Sequence, residues 1–397
     1  MNFIFVSPQF PRVYWNFCDR LKKKGVNVLG IGDTPYDQLA HEVRESLTEY
    51  YFVPSLADYD QMLRAVAFFT FKYGRIDWLE SNNEYWLQSD ARLRTDFNIR
   101  TGWQTGDMDH IKNKSAMKPF YKKAGIPTAR LTKVTTLAAA EEFLAEVGYP
   151  VIVKPDTGVG ATDTYRIENA DELRHFYASK PTVPYVMEEF VTGDICSYDA
   201  IVDADANPIF ESMTVWPPSV MDIVLYQLDL SYYTTDIVPD ALKKAGRATL
   251  KAFHVHSRFV HLEFFRLTKE KPGLGAVGDF VGLEVNMRPA GGYTTDMMNY
   301  AHSTDVYEIW ADMITANRRL LPDRSEHCYC AYASRRDFHR YVHTHEDILA
   351  RYAGKIVMCE RMPEMMWPQM GNHMYTAKLD GQAETDEFIR FVQEQQG

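Results

Sequence analysis

The sequence predicts an α/β protein, with a doubly wound parallel sheet at the N-terminus and α+β structure in the central and C-terminal parts. Two short apolar runs, residues 2–6 and 26–31, have the length and composition of buried strands. Between them, apolar residues recur with helical spacing over residues 13–24, and Gly25 supplies a helix C-cap signal. A strand, a helix and a second strand in this order favour parallel pairing of the two strands.

The same pattern continues through the N-terminal part of the chain. Further strands are predicted at residues 51–53 and 76–79, and further helices at residues 58–73 and 82–97. No Gly-x-Gly-x-x-Gly follows the first strand, so the dinucleotide-binding fingerprint of such sheets is absent. The sequence therefore predicts a Rossmann-like sheet without that nucleotide-binding turn.

The middle of the chain alternates helices and strands, and a smaller C-terminal lobe with short strands and a final helix follows. The predicted elements are a basic helix at 110–125, a helix at 137–147, strands at 151–155, 164–167 and 185–191, a helix at 170–178, an antiparallel strand pair at 198–202 and 208–215, a helix at 239–253, strands at 259–265 and 280–286, and helices at 306–317 and 384–395. An antiparallel strand pair is typical of α+β structure, so this region is predicted to be α+β and not a purely parallel sheet.

The composition argues against several kinds of partner. The chain has 397 residues, a net charge of −11 and a sequence pI of about 5.6, and it carries no long basic run that would bind a nucleic acid or an anionic membrane. The apolar residues 2–6 are too short for a signal peptide and lack its basic leader, and no apolar run is long enough to span a bilayer. Five scattered cysteines are typical of a reduced chain, so we expect a cytoplasmic protein.

A group of cysteines and histidines near the C-terminus has two interpretations. Cys328 and Cys330 are two residues apart, and the nearby histidines are His327, His339, His343 and His345. They could form a zinc site, although the usual Cys-x₂₋₄-Cys spacing is missing. Alternatively, residues 328–333 form a strand in which the cysteines pack as small hydrophobic residues.

The most informative stretch for function is residues 282–293. Residues two apart on a strand project to the same face, so Glu284, Asn286 and Arg288 line up on one side. Carboxylate and amide oxygens are ligands for Mg²⁺, and an arginine suits a phosphate or a carboxylate. Glu263 lies in a second, mostly apolar strand and is a further acidic candidate. The alternative is an exposed strand face with ordinary polar alternation.

Two lysines are candidates for phosphate binding. Lys154 ends an apolar strand just before a loop of small residues that contains Gly158 and Gly160, and loop N–H groups of this kind can cover phosphate oxygens. Lys114 lies on the basic helix and could reach the same phosphates, although that helix could equally present a solvated lysine face. The strand at 187–191 could place apolar side chains and backbone groups beside a flat ring.

Taken together and in this order, these motifs resemble the ATP-grasp superfamily over roughly residues 1–320. The motifs are Lys114 on a helix that ends in Gly125-Ile126-Pro127, the strand lysine Lys154 with its glycine-containing flap, the hinge strand Met187-Glu188-Glu189-Phe190-Val191, the acidic strand with Glu263, and the closing Glu284-x-Asn286-x-Arg288 strand. The resemblance is closest to the ligases similar to biotin carboxylase and carbamoyl-phosphate synthetase, which include the L-amino acid ligases.

This resemblance implies a role for each matching residue and a division into domains. The implied ATP contacts are Lys114, Lys154, Gly158, Gly160, Glu188, Glu189, Phe190, Val191 and Asp194; the implied ligands of Mg²⁺ (or Mn²⁺) are Glu263, Glu284 and Asn286; and the implied catalytic residues are Lys154 and Arg288. Arg288 would steady the transferred phosphoryl group or the substrate carboxylate, and the backbone N–H groups of Gly291 and Gly292 could face that carboxylate. The expected domains are an N-terminal domain (1–108), a lid (109–190), a catalytic subdomain (191–325) and a C-terminal lobe (326–397).

The implied function is that of an ATP-dependent carboxylate-amine ligase, which forms an acyl phosphate from a small carboxylic or amino acid and releases ADP and phosphate. Pro289 and the glycines after Arg288 replace the Gln-Val-Glu-His continuation of biotin carboxylases. Two alternatives remain open: activation of bicarbonate, and a non-catalytic ATP-binding regulatory protein. The expected partners are a small acid and an amine, and relatives are often homodimers. The sequence does not name these substrates; aromatic residues that could line their pocket are Trp216, Tyr226, Tyr232, Tyr233 and Tyr293.

Overall fold

The computed structural model of the chain describes residues 1–158, 163–217, 228–322 and 328–396. Gly160, Tyr226 and His327 therefore lie outside the described residues. Within the described residues the helices are α1 (Trp15–Lys23), α2 (His41–Ser46), α3 (Tyr59–Tyr73), α4 (Leu87–Asp96), α5 (Asp109–Lys112), α6 (Lys114–Ala124), α7 (Leu137–Val147), α8 (Ala170–Ser179), α9 (Asp240–Ala252), α10 (Thr294–His302), α11 (Val306–Ala316), α12 (His345–Arg351), α13 (Trp367–Met370) and α14 (Gln382–Gln393).

The N-terminal sheet is parallel, as predicted. Its strands are β1 (Asn2–Val6), β2 (Asn27–Gly32), β3 (Glu49–Phe52) and β4 (Trp78–Glu80), in the order β3-β2-β1-β4. Apolar side chains of β1 alternate between two core clusters, with Phe3 and Phe5 on one face and Ile4 and Val6 on the other. Burial on both faces explains why β1 and β2 are continuous apolar runs in the sequence.

One N-terminal helix is shorter than predicted. The helical pattern begins at residue 82, but the structure starts α4 at Leu87. Asn82 has a left-handed backbone (φ +53°), which a right-handed helix does not accommodate. The segment between β4 and α4 is therefore a loop and not the first turn of the helix.

The second sheet is antiparallel and lies in the predicted lid. It has the order β5-β8-β6-β7, and its strands are β5 (Leu131–Lys133), β6 (Val151–Pro155), β7 (Tyr165–Ile167) and β8 (Tyr185–Glu189). The helices α7 and α8 cover it, since Leu144 and Phe176 join Val151 and Met187 in one core cluster. This packing fixes the strand that carries Lys154 beside the strand that carries Glu188, with Ile152 directly opposite Glu188.

The third sheet is large and antiparallel, and it extends from the predicted catalytic region into the C-terminal part. Its order is β13-β12-β9-β10-β11-β14-β16-β15. The strands are β9 (Gly193–Val202), β10 (Pro208–Trp216), β11 (Ser231–Thr235), β12 (Arg258–Leu267), β13 (Phe280–Asn286), β14 (Tyr329–Arg335), β15 (Ile356–Arg361) and β16 (His373–Leu379). Because β14 pairs with β11, residues after 328 continue the catalytic sheet.

Two close contacts hold the elements that carry the candidate site. Helix α6 packs against β13 so tightly that a Cβ on Gly282 would lie 2.5 Å from the ring of Tyr121. The N-terminal sheet is joined to the large sheet by Glu80, whose carboxylate lies 2.6 Å from the guanidinium of Arg258 in a buried ion pair. In the described residues, no helix has the length and apolarity needed to cross a membrane.

Candidate active site

Two lysines predicted to bind phosphate lie in the same cleft as the acidic strands. Lys114 begins α6, and its ammonium lies 3.1 Å from the carboxylate of Glu284 on β13. Lys154 projects from β6 toward Glu188, with 2.6 Å between ammonium and carboxylate. Burial alone would lower the pKa of Lys154, but the charges of Glu188 and Glu284 outweigh it and raise that pKa. Lys154 therefore stays charged although it is buried.

Glu188 is the centre of a buried charge triad. Its two carboxylate oxygens lie 2.6 Å from the ammonium of Lys118 and 2.6 Å from that of Lys154. Burial would raise the pKa of Glu188, but the two lysines outweigh it and lower the pKa to about 2. Its side chain thus pairs with both lysines, and the implied contact of Glu188 with ATP stays a prediction.

The three predicted metal ligands face one another across β12 and β13. Glu263 is directly opposite Glu284, and a register shift follows Glu263 on β12. The Asn286 amide lies 3.4 Å from the Glu263 carboxylate. Two carboxylates and an amide oxygen on neighbouring strands form a donor set that fits a hard divalent cation such as Mg²⁺.

Arg288 lies at the end of the same row, next to the N-terminal domain. Its Nε is 3.4 Å from the carboxylate of Glu84, in the loop that precedes α4, and one terminal nitrogen donates to the carbonyl oxygen of Pro289. Its other terminal nitrogen is 3.5 Å from Asn286 Oδ1. Glu84 also pairs with Lys112. The predicted substrate arginine thus meets residues from two domains.

The predicted hinge strand has both side-chain and backbone partners. The carboxylate of Glu189 accepts from the guanidinium of Arg130 at 2.8 Å and lies 3.2 Å from the ammonium of Lys271. The amide N–H of Glu189 donates to the Arg130 carbonyl, so this N–H group is not available to an adenine. Phe190 accepts from Lys271 through its carbonyl oxygen, and Val191 is buried in a small apolar cluster.

Asp194 lines a cavity of about 260 Å³ at the start of β9. It lies opposite Arg266 on β12, and the remaining lining residues are Leu267, Thr268, Val277 and Gly278. Its carboxylate is exposed. The role of Asp194 at a ribose stays a prediction.

The glycines predicted to contact ATP or substrate differ in whether their backbone conformation requires a glycine. Gly158 has a φ of +154° and Gly292 a φ of +64°, both in the region that favours glycine. Gly291 has no neighbouring atom within 4 Å of a hypothetical Cβ, and its carbonyl accepts from the hydroxyl of Thr294 at the start of α10. Gly160 is outside the described residues.

A histidine that the sequence analysis missed lies directly behind the metal ligands. His261 Nδ1 is 2.6 Å from Asp199 on β9, and Nε2 is 3.1 Å from Glu263. Burial would lower the pKa of His261, but Asp199 outweighs it and raises the pKa to about 9. His261 in turn lowers the pKa of Glu263, again against the effect of burial. The signal in the sequence was position: His261 precedes Glu263 by two residues and shares its strand face.

Lys118 and Glu84 were missed for different reasons. Lys118 is four residues after Lys114, so both lysines lie on one face of α6. That spacing was available in the sequence. Glu84 belongs to the N-terminal domain, and only tertiary packing brings it to Arg288.

Part of the predicted aromatic lining is close to the acidic strands. Trp216 contacts His261 and Tyr232, with ring centroids 5.3 and 6.2 Å apart. The hydroxyl of Tyr293 donates to Glu360 on β15. Tyr233 instead contacts Tyr329 of the C-terminal core, with the two rings tilted and their centroids 5.7 Å apart.

The cysteines predicted as a possible zinc pair pack apart from any metal-ligand group in the described part of the chain. Cys330 is fully buried, and Cys328 donates its thiol hydrogen to the carbonyl of Tyr300. This agrees with the interpretation of both cysteines as strand packing residues. A different group of possible ligands is formed by His345, Cys359 and His373.

Comparison with known proteins finds one matching domain family and several similar folds. A family model for the ATP-grasp domain matches residues 111–226. The L-arginine-specific L-amino acid ligase of Bacillus subtilis is 26% identical over 250 residues, which are 60% of this chain and 57% of that protein. The chain thus matches less than two thirds of the length of this curated relative.

Two solved structures share almost the whole fold. The L-amino acid ligase from Bacillus licheniformis superposes with a TM-score of 0.69 at 13% identity, covering 98% of this chain and 96% of that one. The N5-carboxyaminoimidazole synthetase from Staphylococcus aureus, complexed with ADP, has a TM-score of 0.70 at 14% identity and the same coverage. Residues 111–226 thus match the ATP-grasp domain, in agreement with the resemblance seen in the sequence, and the chain as a whole has the fold of these two solved enzymes.

Proposed function

We propose that the protein is an ADP-forming carboxylate-amine ligase that activates a small carboxylic or amino acid with ATP. The observation that carries this proposal is the cleft in which Lys114 and Lys154 face Glu263, Glu284 and Asn286. Phosphoryl transfer needs little covalent chemistry from the protein, but it needs charges placed around the phosphates and the attacking oxygen. A row of lysines opposite a row of oxygen ligands supplies that arrangement.

The lysines would hold the phosphates, and the acidic row would hold the cation. Lys154 and Lys118 share Glu188 as a counter-ion, which keeps both side chains extended into the cleft before the nucleotide binds. Glu263, Glu284 and Asn286 would bind Mg²⁺ or Mn²⁺, which would neutralise phosphate charge and orient the transferred group. His261 holds the Glu263 carboxylate from behind through Nε2.

The acid substrate would bind at Arg288. Its guanidinium would pair with the substrate carboxylate, and the exposed backbone of Gly291 offers N–H groups beside it. The carboxylate oxygen would attack the γ-phosphoryl group, giving an acyl phosphate and ADP, and an amine would then displace phosphate. Water would hydrolyse the acyl phosphate, so it must be kept from the site. The glycine-containing loop after Lys154, which the resemblance implies for this role, lies partly outside the described residues.

The named relatives support an amino acid as one substrate. One is specific for L-arginine, and one solved structure is an L-amino acid ligase, although both are distant from this chain. Bicarbonate activation is the second candidate, because a biotin carboxylase domain complexed with MgADP and bicarbonate has the same fold at a TM-score of 0.66. The cytoplasmic location and the homodimer remain predictions.

Phosphate release tests the proposal directly. Purified protein with MgATP should release ADP and phosphate only when particular amino acids are added singly or in pairs, and a ligated product should appear by mass spectrometry. Lys154→Ala and Glu284→Ala should each abolish this release, whereas the exposed control substitutions Lys122→Ala and Glu270→Ala should not. Full activity in Lys154→Ala or Glu284→Ala would remove the assigned roles.

The same assay separates the alternatives. ADP release that depends on bicarbonate and needs no organic acid would favour the carboxylase-type reaction. ATP binding without phosphate release over a broad panel of acids and amines would favour the regulatory, non-catalytic reading.

A further inference from the structure

Three side chains from separate elements of the C-terminal part come together at one end of the large sheet. Cys359 Sγ lies 3.3 Å from His373 Nε2, and the possible ligand atoms of His345, Cys359 and His373 all lie within 4.8 Å of one another. A sulfur at about 2.3 Å and a nitrogen at about 2.0 Å from one tetrahedral zinc ion lie about 3.5 Å apart. The observed sulfur–nitrogen distance is close to that separation.

Strand register and a helix start produce this cluster. Cys359 pairs directly with Tyr375, and His373 precedes Tyr375 by two residues, so all three side chains project from the same face of β15 and β16. His345 is the first residue of α12, which packs over this face. The Tyr375 hydroxyl lies 2.9 Å from His345 Nδ1 and fixes the orientation of the ring. Such a partner to the second ring nitrogen is typical of histidines that bind metals.

The cationic side chain nearest to the cluster in sequence has its own partner. Arg361, the cationic side chain two residues after Cys359, is paired with Asp337.

We propose that His345, Cys359 and His373 form a binding site for a borderline-soft divalent cation of the zinc type, separate from the oxygen-ligand site in the nucleotide cleft. Two imidazoles and one thiolate are a typical zinc donor set, and three protein ligands leave a fourth position for water. Binding replaces the Cys359 S–H bond by a sulfur–metal bond, and the proton goes to solvent.

The proposed cation site lies at the edge of the large sheet, where a bound ion would connect two elements of the fold. β15 is an edge strand of the large sheet, and edge strands have unpaired backbone groups on one side. A cation held by Cys359, His373 and His345 would tie this edge to α12. The neighbouring Glu360 accepts from the hydroxyl of Tyr293, so the bound cation would also steady the strand that contacts Tyr293.

Cobalt substitution tests the site on the full chain. Chelator-treated protein titrated with Co²⁺ should develop a sulfur-to-cobalt charge-transfer band that saturates at one ion per chain and is displaced by Zn²⁺. The oxygen ligands of the nucleotide cleft cannot give this band. Cys359→Ser should abolish the band, and His373→Ala should weaken Co²⁺ binding at least about tenfold. The matched control Cys328→Ser should keep it, because Cys328 contacts a backbone carbonyl elsewhere.

A thermal-unfolding measurement provides a second readout. Zn²⁺ should raise the melting temperature of the wild type and of Cys328→Ser, but not of Cys359→Ser, whose folding is checked by circular dichroism. Absence of the band in the wild type would overturn the proposal, as would a band that survives Cys359→Ser. ADP release is measured separately, so a failed metal test leaves the ligase proposal unaffected.

Discussion

Replacing Glu188 by glutamine removes the carboxylate that lies between two lysine ammonium groups. Glu188 is buried, and its contacts to Lys118 and Lys154 are both 2.6 Å long. The substitution keeps the shape of the side chain but leaves two positive charges without their shared partner. Removal of one partner from a buried ion pair is strongly destabilising, because the remaining charge stays desolvated.

The pKa of Glu188 gives the size of the effect. It falls from 4.5 to about 2 in the folded protein, which corresponds to about 3 kcal/mol of stability at neutral pH. Because the folded pKa lies below the unfolded one, this stabilisation is present above about pH 4.5 and is lost as the pH falls toward 2. Glu188→Gln should therefore lower the free energy of unfolding at pH 7, and the difference from the wild type should shrink on acidification.

Urea denaturation at pH 7 and at several lower pH values measures both parts of this prediction. The control is Asp337→Asn, which breaks an ion pair with Arg361 in which both partners are half exposed, so its effect should be far smaller. A loss below about 1 kcal/mol at pH 7 for Glu188→Gln would refute the reasoning. A loss that stays constant down to pH 3 would refute it as well.

Two other substitutions test the framework around the site. Burial raises the pKa of Asp90 to about 7, so the folded protein holds a proton that the unfolded chain has lost between about pH 4 and 7, and stability falls as the pH rises in that range. Asp90→Asn should flatten this slope in urea denaturation; an unchanged slope would contradict it. Gly282→Ala would force a methyl group against the Tyr121 ring and should cost about 1–3 kcal/mol, measured by thermal unfolding, while Gly106→Ala, with open space around it, should be near neutral. Equal effects of the two alanines would show that the contact is not tight.

The N-terminal sheet could be predicted because its signals are local. Each buried strand is a short apolar run, and the intervening helices carry apolar residues at helical spacing. The face shared by Glu284 and Asn286 was equally readable, since it needs only the two-residue period of a strand. The strand Ser231–Thr235 was missed because its polar hydroxyl residues lack an apolar pattern, yet it lies in the middle of the large sheet.

Contacts between distant segments could not be read in the same way. The pairing of Glu263 with Glu284 depends on the register between two strands, and the sequence suggested it only through the family resemblance. The direction of the Glu188 side chain, toward Lys118 and Lys154, could not be read from the hinge motif. The group formed by His345, Cys359 and His373 was missed because its members lie far apart in the sequence and are brought together only by strand pairing and helix packing.

The carboxylate of Glu284 is paired with Lys114 in the structure, at a distance of 3.1 Å, and is also a proposed ligand of Mg²⁺. We expect that it does not serve the lysine and the cation at the same time. Phosphate oxygens would draw the ammonium of Lys114 away, because a phosphate carries more charge than a carboxylate, and the Glu284 oxygens would then be free for the cation. Nucleotide and cation should therefore bind with positive coupling, and coupling of this kind is reciprocal.

Calorimetric titration of ADP with and without Mg²⁺ measures this coupling. Mg²⁺ in solution already associates with the nucleotide, so the informative comparison is between the wild type and Lys114→Met. The variant lacks the ammonium that competes for Glu284, so Mg²⁺ should bind it more readily without nucleotide, and ADP should improve Mg²⁺ binding by a smaller factor. Equal coupling in both proteins would mean that the contact between Lys114 and Glu284 does not compete with the cation, and it would refute the proposed exclusion of the two roles.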